Sequence, residues 1–341
     1  MKRKKTAPMT KAERIAAAIR GDAADRVPYS LWSYLPMIDL DPAANAEHTY
    51  DFYKTYDVDI LKTMNNGMYS VEDFGVTVDY SDIERGGVAK IISTPVHTPE
   101  DWLKVKPVSL HEGALAREQD YLKRLLKKTN GEVPVIFTVF SPLTTANKLC
   151  PHMMEHIASG HGEQVKAALT AITETTCALV QRVIELGADG IFFATQLSSY
   201  DLVKEDLYKE YGMPYDIAVL SASQGWCNVL HAHGKHIMFP LLRKYPVQIF
   251  NWHAFESLPG IHEAQVMTGK CIMAGLERMD ITDGHKNEIE HQIYETLRET
   301  GGRHVILSPG CVIRYPLDPE MLSFVRKAKE EIEERLLGNR D

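Results

Sequence analysis

Eight short apolar runs, most of them separated by stretches of helical periodicity, recur along this 341-residue chain. They lie near 28–33, 58–64, 133–140, 189–195, 228–233, 247–252, 271–275 and 304–308. Helical patterns between successive strands imply parallel crossovers. Eight such units favour a single α/β (β/α)8 barrel over a doubly wound sheet. Val133–Phe140 is apolar nearly throughout, as a strand buried on both faces should be. Thr10 and Glu13 form a capping box that opens an N-terminal helical segment, which Gly21 ends. Residues 74–80 and 88–94 alternate around Arg85-Gly86-Gly87, predicting a β-hairpin inserted after the second strand. Helical spacing recurs over 162–186 and near 204–224, and Asp318-Pro319-Glu320 signals the last helix. The charged face from Lys329 to Arg335 is expected to be solvated.

Apolar residues make up 44% and charged residues 25%, an ordinary globular balance. A net charge of −8 with no basic cluster on a folded segment speaks against a nucleic-acid partner. No 18-residue apolar run exists to span a membrane. Five scattered cysteines predict free thiols in a reducing compartment rather than a disulfide framework. The basic run from Met1 to Lys5 has no apolar stretch behind it, so it reads as tail rather than secretory signal. The expected organisation is a disordered basic tail over 1–9, then one barrel over 10–341, in a cytoplasmic protein.

Barrel active sites form at the C-terminal ends of the strands, so polar residues there carry the information. His231 and His233 are two apart, and on a strand both rings leave from one face. Cys311 follows the turn that ends the last apolar run. Two imidazoles and a thiolate suit zinc with an open fourth position. The same residues also read as hydrogen-bonded polar groups and a cysteine filling the core, and spacing alone does not choose. His253 is a candidate extra ligand, proton donor or substrate contact, and Glu277 a candidate fourth ligand or general base. Both are carried as catalytic candidates. Trp32, Tyr34 and Met64, with Asn66, Gln196 and Asn251, are the substrate-binding candidates.

The chain also resembles a known family, the uroporphyrinogen decarboxylase superfamily of α/β barrels. The resemblance rests on Asp25-Arg26-Val27-Pro28, Tyr56-Asp57-Val58-Asp59 and Gly187-Ala188-Asp189-Gly190. His231-Ala232-His233-Gly234, Thr268-Gly269-Lys270 and Ser308-Pro309-Gly310-Cys311 complete it. The superfamily's decarboxylases carry arginines after the first strand and an aspartate after the second. Here those places read Leu31-Trp32-Ser33-Tyr34-Leu35-Pro36 and Lys62-Thr63-Met64-Asn65, so a pocket without cationic partners for a porphyrinogen is expected.

The corrinoid-linked methyltransferases of the superfamily bind zinc through an H-x-C-G pattern and a late cysteine. Resemblance to them implies His231, His233 and Cys311 as ligands, with histidine replacing the family's middle cysteine. One thiolate instead of two leaves the centre at net +1, a stronger Lewis acid. The implied reaction moves a methyl group between a small substrate, a thiol or a methoxylated donor, and a corrinoid. No D-x-H-x-x-G segment is present, so methylcobalamin would arrive on a partner corrinoid protein. Homodimers are common in the superfamily. The competing readings are a decarboxylase-like lyase acting on a porphyrinogen or other carboxylated substrate, and a non-catalytic ligand-binding barrel.

Overall fold

The computed structural model describes residues 7–81 and 89–338. Seven parallel strands form one sheet: β1 (Leu61–Lys62), β4 (Val135–Phe140), β5 (Gly190–Thr195), β6 (Val229–Ala232), β7 (Ile249–Trp252), β8 (Cys271–Leu276) and β9 (Val305–Pro309). Neighbours in the sheet follow chain order, and helices cover its outside. Almost every strand residue is buried, as continuous apolar runs require when one face meets helices and the other the barrel interior.

The eighth stave closes the ring without becoming a regular strand. Residues 28–33 touch β9 through a single bridge, Tyr29 with Leu307, and continue through another between Ser33 and Ile313. On the other side Asp59 N–H donates to Tyr29 O at 2.8 Å and Ser30 Oγ to Ile60 O at 2.8 Å. The expected ladder is reduced because Pro28 has no N–H and the Tyr29 N–H goes to the Asp59 carboxylate at 3.1 Å. The result is a TIM barrel preceded by the helix Lys11–Arg20, whose Thr10–Glu13 capping box forms as expected.

The inserted hairpin is present as β2 (Thr77–Asp79) against antiparallel β3 (Lys90–Ser93), with an irregularity between Thr77 and Val78. Its expected turn at Arg85-Gly86-Gly87 lies outside the described residues, as do residues 1–6 of the expected tail. The helical region near 204–224 divides into Glu205–Tyr211 and Met213–Ala222, with Gly212 and Pro214 at the break.

The Lys329–Arg335 face is not wholly solvated. Lys329 is fully buried and pairs with Glu333 at 2.8 Å, while the Glu333 carboxylate also accepts the Val27 N–H at 2.6 Å. The final helix, Pro319–Glu333, thereby docks onto the barrel through the Val27–Glu333 hydrogen bond as well as an apolar stripe, with the Lys329–Glu333 pair buried within the helix itself. Among the described residues no helix is long and apolar enough to cross a membrane.

Candidate metal centre

His231 lies within β6, and the parallel register sets it beside Asn251 of β7. Paired residues on neighbouring strands leave the sheet on the same side, about 4.8 Å apart. The side chains therefore meet: His231 Nδ1 and Asn251 Oδ1 are 2.5 Å apart. Asn251 Nδ2 donates to Met273 O and to Pro309 O at 3.2 Å, which fixes its Oδ1 as acceptor. His231 must then carry its proton on Nδ1, leaving the Nε2 lone pair free. Phe192 stacks on the imidazole with centroids 5.2 Å apart.

His233 stands two residues further along the same face, its N–H extending the ladder to Thr195 O at 3.0 Å. Cys311 arrives from the end of β9, two strands beyond β7. That approach depends on Gly310, where a β-carbon would lie 2.7 Å from Trp252 O and 2.8 Å from His253 Cα. Backbone to backbone, the end of β9 rests on the end of β7. Asn251 ties the same two ends together through Pro309 O.

Four side chains converge as a result. The ligating atoms of His231, His233, His253 and Cys311 all lie within 4.8 Å of one another. Cys311 Sγ is 3.6 Å from His233 Nδ1. Sulfur at about 2.3 Å and nitrogen at about 2.05 Å from one ion, at a tetrahedral angle, would be about 3.6 Å apart. His253 Nδ1 contacts Glu256 Oε1 at 2.9 Å, while its buried Nε2 has no partner. A buried imidazole nitrogen without a partner, beside a thiol and two other imidazoles, is the arrangement a cation would satisfy. The donor set fits zinc: borderline nitrogen and sulfur, four donors, and a carboxylate orienting one ring.

Burial governs the protonation of this cluster. It pushes His231 well below the usual histidine range, with His233 and His253 adding to the effect. His233 falls to about 4 for the same reasons, burial first and His253 second. Burial also raises the Cys311 thiol, against the opposing pull of Arg278, the Val312 amide and Lys62.

A cavity of about 460 Å³ opens onto the cluster, lined by His231, His233 and Cys311 but not by His253, which stands behind them. Of the substrate-binding candidates, Trp32, Tyr34, Asn66 and Gln196 line it. Met64 does not; it is buried in the core, with its N–H on the Tyr121 hydroxyl at 2.9 Å. Asn251 is likewise off the wall and acts on His231 instead. Glu277 is not brought to the cluster. It caps the short helix Arg278–Thr282 by accepting the Met279 N–H at 3.0 Å.

The expectation of a pocket without cations does not hold, because Lys62, Arg278 and Arg314 all line the cavity. Lys62 is buried, with Nζ 4.9 Å from the Phe192 ring centroid, and burial pulls its pKa down to about 8. Lys62 was hidden in the sequence because the apolar run over 58–64 puts it mid-strand, whereas it ends β1. Arg278 and Arg314 sit in loops or helix starts whose direction only the fold sets.

The sequence model described as "Uroporphyrinogen decarboxylase (URO-D)" matches residues 10–332. Over 152 residues the chain is 27% identical to methylcobamide:CoM methyltransferase MtbA of Methanosarcina acetivorans, a match spanning 44% of each protein and so less than half of that relative's length. Over 347 residues it is 23% identical to the methylated-thiol–coenzyme M methyltransferase of Methanosarcina mazei, covering 94% of this chain and 90% of that one. In fold it is similar to a solved methyltransferase from Methanosarcina mazei, with a TM-score of 0.81 at 18% identity over 94% and 98% of the two chains.

Proposed function

The chain belongs to the uroporphyrinogen decarboxylase family, and on that premise we propose that it is a zinc-dependent methyltransferase moving a methyl group between a small substrate and a corrinoid carried on a partner protein. The observation that carries this reading is the convergence of His231, His233, His253 and Cys311 at the floor of the cavity. Names of relatives that act on methylcobamide and methylated thiols support it. Zinc held there would supply Lewis acidity, favouring a substrate thiolate or polarising a leaving group.

The chain's own residues divide the remaining work. Asn251 holds the His231 ring in one tautomer, and Glu256 does the same for His253. Trp32 and Phe192, in edge contact at 5.6 Å, exclude water beside His231. Lys62 offers an ammonium at the metal end of the cavity, where it would meet an anionic sulfur or carboxylate. His253 approaches from behind the cavity wall, so substrate access is left to the face formed by the other three ligands.

A methylcobalamin assay tests the function. Zinc-loaded protein with a small thiol should consume the Co–CH₃ absorbance, and chelated protein should not. Turnover that is indifferent to zinc would overturn the proposal. The cations on the cavity wall give a second reading some footing, decarboxylation of a carboxylated substrate, which predicts CO₂ release without metal.

The ligand set also fixes how zinc affinity should vary with pH. The imidazoles are neutral throughout the neutral range because burial lowers them, so they release no protons on binding. Cys311, raised by burial, must lose one. Apparent zinc affinity should therefore rise about tenfold per pH unit between roughly pH 6.5 and 8. Competition titrations with a chromophoric chelator measure it. A slope near a hundredfold per unit would mean two thiolates and a different ligand set.

A further inference from the structure

At another part of the cavity wall, Asp39 sits in a 3-10 turn (Ile38–Leu40) led by Met37, whose φ of 67° is in the left-handed region. Asp39 is 5% exposed and lines the cavity, yet its Oδ1 has no hydrogen-bond partner. The Asn66 side chain serves the carboxylate. The Asn66 Oδ1 already accepts the Met68 N–H at 2.9 Å and the Tyr80 hydroxyl at 3.0 Å, so it is the amide nitrogen that turns to Asp39.

Among the described residues, the surroundings of Asp39 are short of positive charge. Arg117 is engaged by Glu72 at 2.9 Å and Glu118 at 3.1 Å, and Asp39 has no ion pair of its own among the described residues. Three carboxylates thus share one guanidinium. Burial lifts Asp39 to about 6 and Glu118 to about 7, which is how acids respond when cations are scarce. The cavity's own cations, Lys62, Arg278 and Arg314, have no carboxylate partner among the described residues; Lys62 and Arg278 are close enough to Cys311 to act on its thiol. Among the described residues, Asp39 is therefore the one carboxylate on the cavity wall, with Glu72 and Glu118 behind it, while Lys62, Arg278 and Arg314 share the wall with the His–Cys cluster.

We propose that Asp39 is the recognition group for a protonated amine on the small substrate, which presents its reacting sulfur or methyl group to the metal end. The substrate class is an amine-bearing thiol or its methylated form. A neutral hydroxyl or amide would satisfy the free lone pair but leave the buried charge unbalanced. An ammonium does both. The identification of the metal end rests on the zinc reading above; the amine preference rests on Asp39 and the charge around it.

The test uses probe pairs that differ only at that end. With zinc-loaded protein and methylcobalamin, kcat/KM for 2-aminoethanethiol should exceed that for 2-mercaptoethanol by about tenfold or more, chiefly through KM. Asp39→Asn should bring that ratio to near unity. A second arm needs neither sulfur nor metal. Thermal shifts with n-propylamine and n-propanol, on zinc-loaded and zinc-free wild type, should favour the amine in both. Zinc-loaded protein that turns over both thiols equally, or prefers the hydroxyl, overturns the Asp39 assignment and leaves the metal reading standing. An amine preference in protein that binds no zinc keeps Asp39 and removes the metal reading instead.

Discussion

Replacing Cys311 by serine or His231 by alanine should lower bound zinc from about one per chain to nearly none after dialysis against a mild chelator. Structural zinc sites are worth about 10–16 kcal/mol over four donors, so each donor accounts for about 2.5–4 kcal/mol, a factor of about 10²–10³ in affinity. Cys311 should be the more damaging loss, since on binding zinc it would be the anionic donor among three neutral imidazoles. Methyl transfer should fall by at least the same factor. Thermal unfolding of the metal-free variants, compared with metal-free wild type, separates lost coordination from lost fold. Full zinc occupancy in Cys311→Ser would remove the basis of the methyltransferase reading and favour a barrel that binds ligand without turnover.

Asp59→Ala should destabilise the protein by about 3–5 kcal/mol while leaving zinc stoichiometry of the folded fraction intact. Asp59 is fully buried at the opposite, N-terminal end of the strands. Its carboxylate accepts Arg14 Nη1 and Arg26 Nη2, each at 2.7 Å, and the Tyr29 N–H at 3.1 Å, with Lys11 at 3.8 Å. Removing the anion takes the fully buried carboxylate from Arg14, Arg26 and Lys11, leaving Asp25 for the first and Asp57 for the other two, and frees the Tyr29 amide of the closing stave. For 341 residues, at about 2.1 cal/mol/K per residue, the loss is a Tm drop of roughly 4–7 °C. Differential scanning calorimetry measures it. A Tm within about 1 °C of wild type would mean the network contributes no more than surface ion pairs do.

This network also explains why two of the motifs behind the family resemblance exist. Asp25-Arg26-Val27-Pro28 and Tyr56-Asp57-Val58-Asp59 are not near the cavity; they meet each other at the base of the barrel. Arg14 bridges Asp25 and Asp59, each at 2.7 Å. These residues close the ring of staves, whereas His231, His233 and Cys311 gather at the other end.

Periodicity carried the barrel well, because a strand buried on both faces must be apolar throughout and a covering helix must repeat near 3.6. It overstated the first two strands, where a proline and a carboxylate take the place of ladder bonds, and it mistook Lys329 and Glu333 for surface. A buried ion pair has the same composition as a solvated one. That His231, His233 and Cys311 could gather at one end of the barrel was legible from their places at strand ends. The role of His253 was left open, and Glu277 looked as eligible as it did, since both follow a strand.

From the chain itself came the eight-stave barrel, the end of it that carries chemistry, and three donors suited to zinc. Only the tertiary structure decided that His253 joins them while Glu277 caps a helix, that Met64 faces the core, and that Asp39 and Lys62 face the cavity. The reason is geometric. Spacing along one strand fixes which side chains share a face, but which strand ends meet depends on register and close backbone approach, here Asn251 beside His231 and Gly310 against His253.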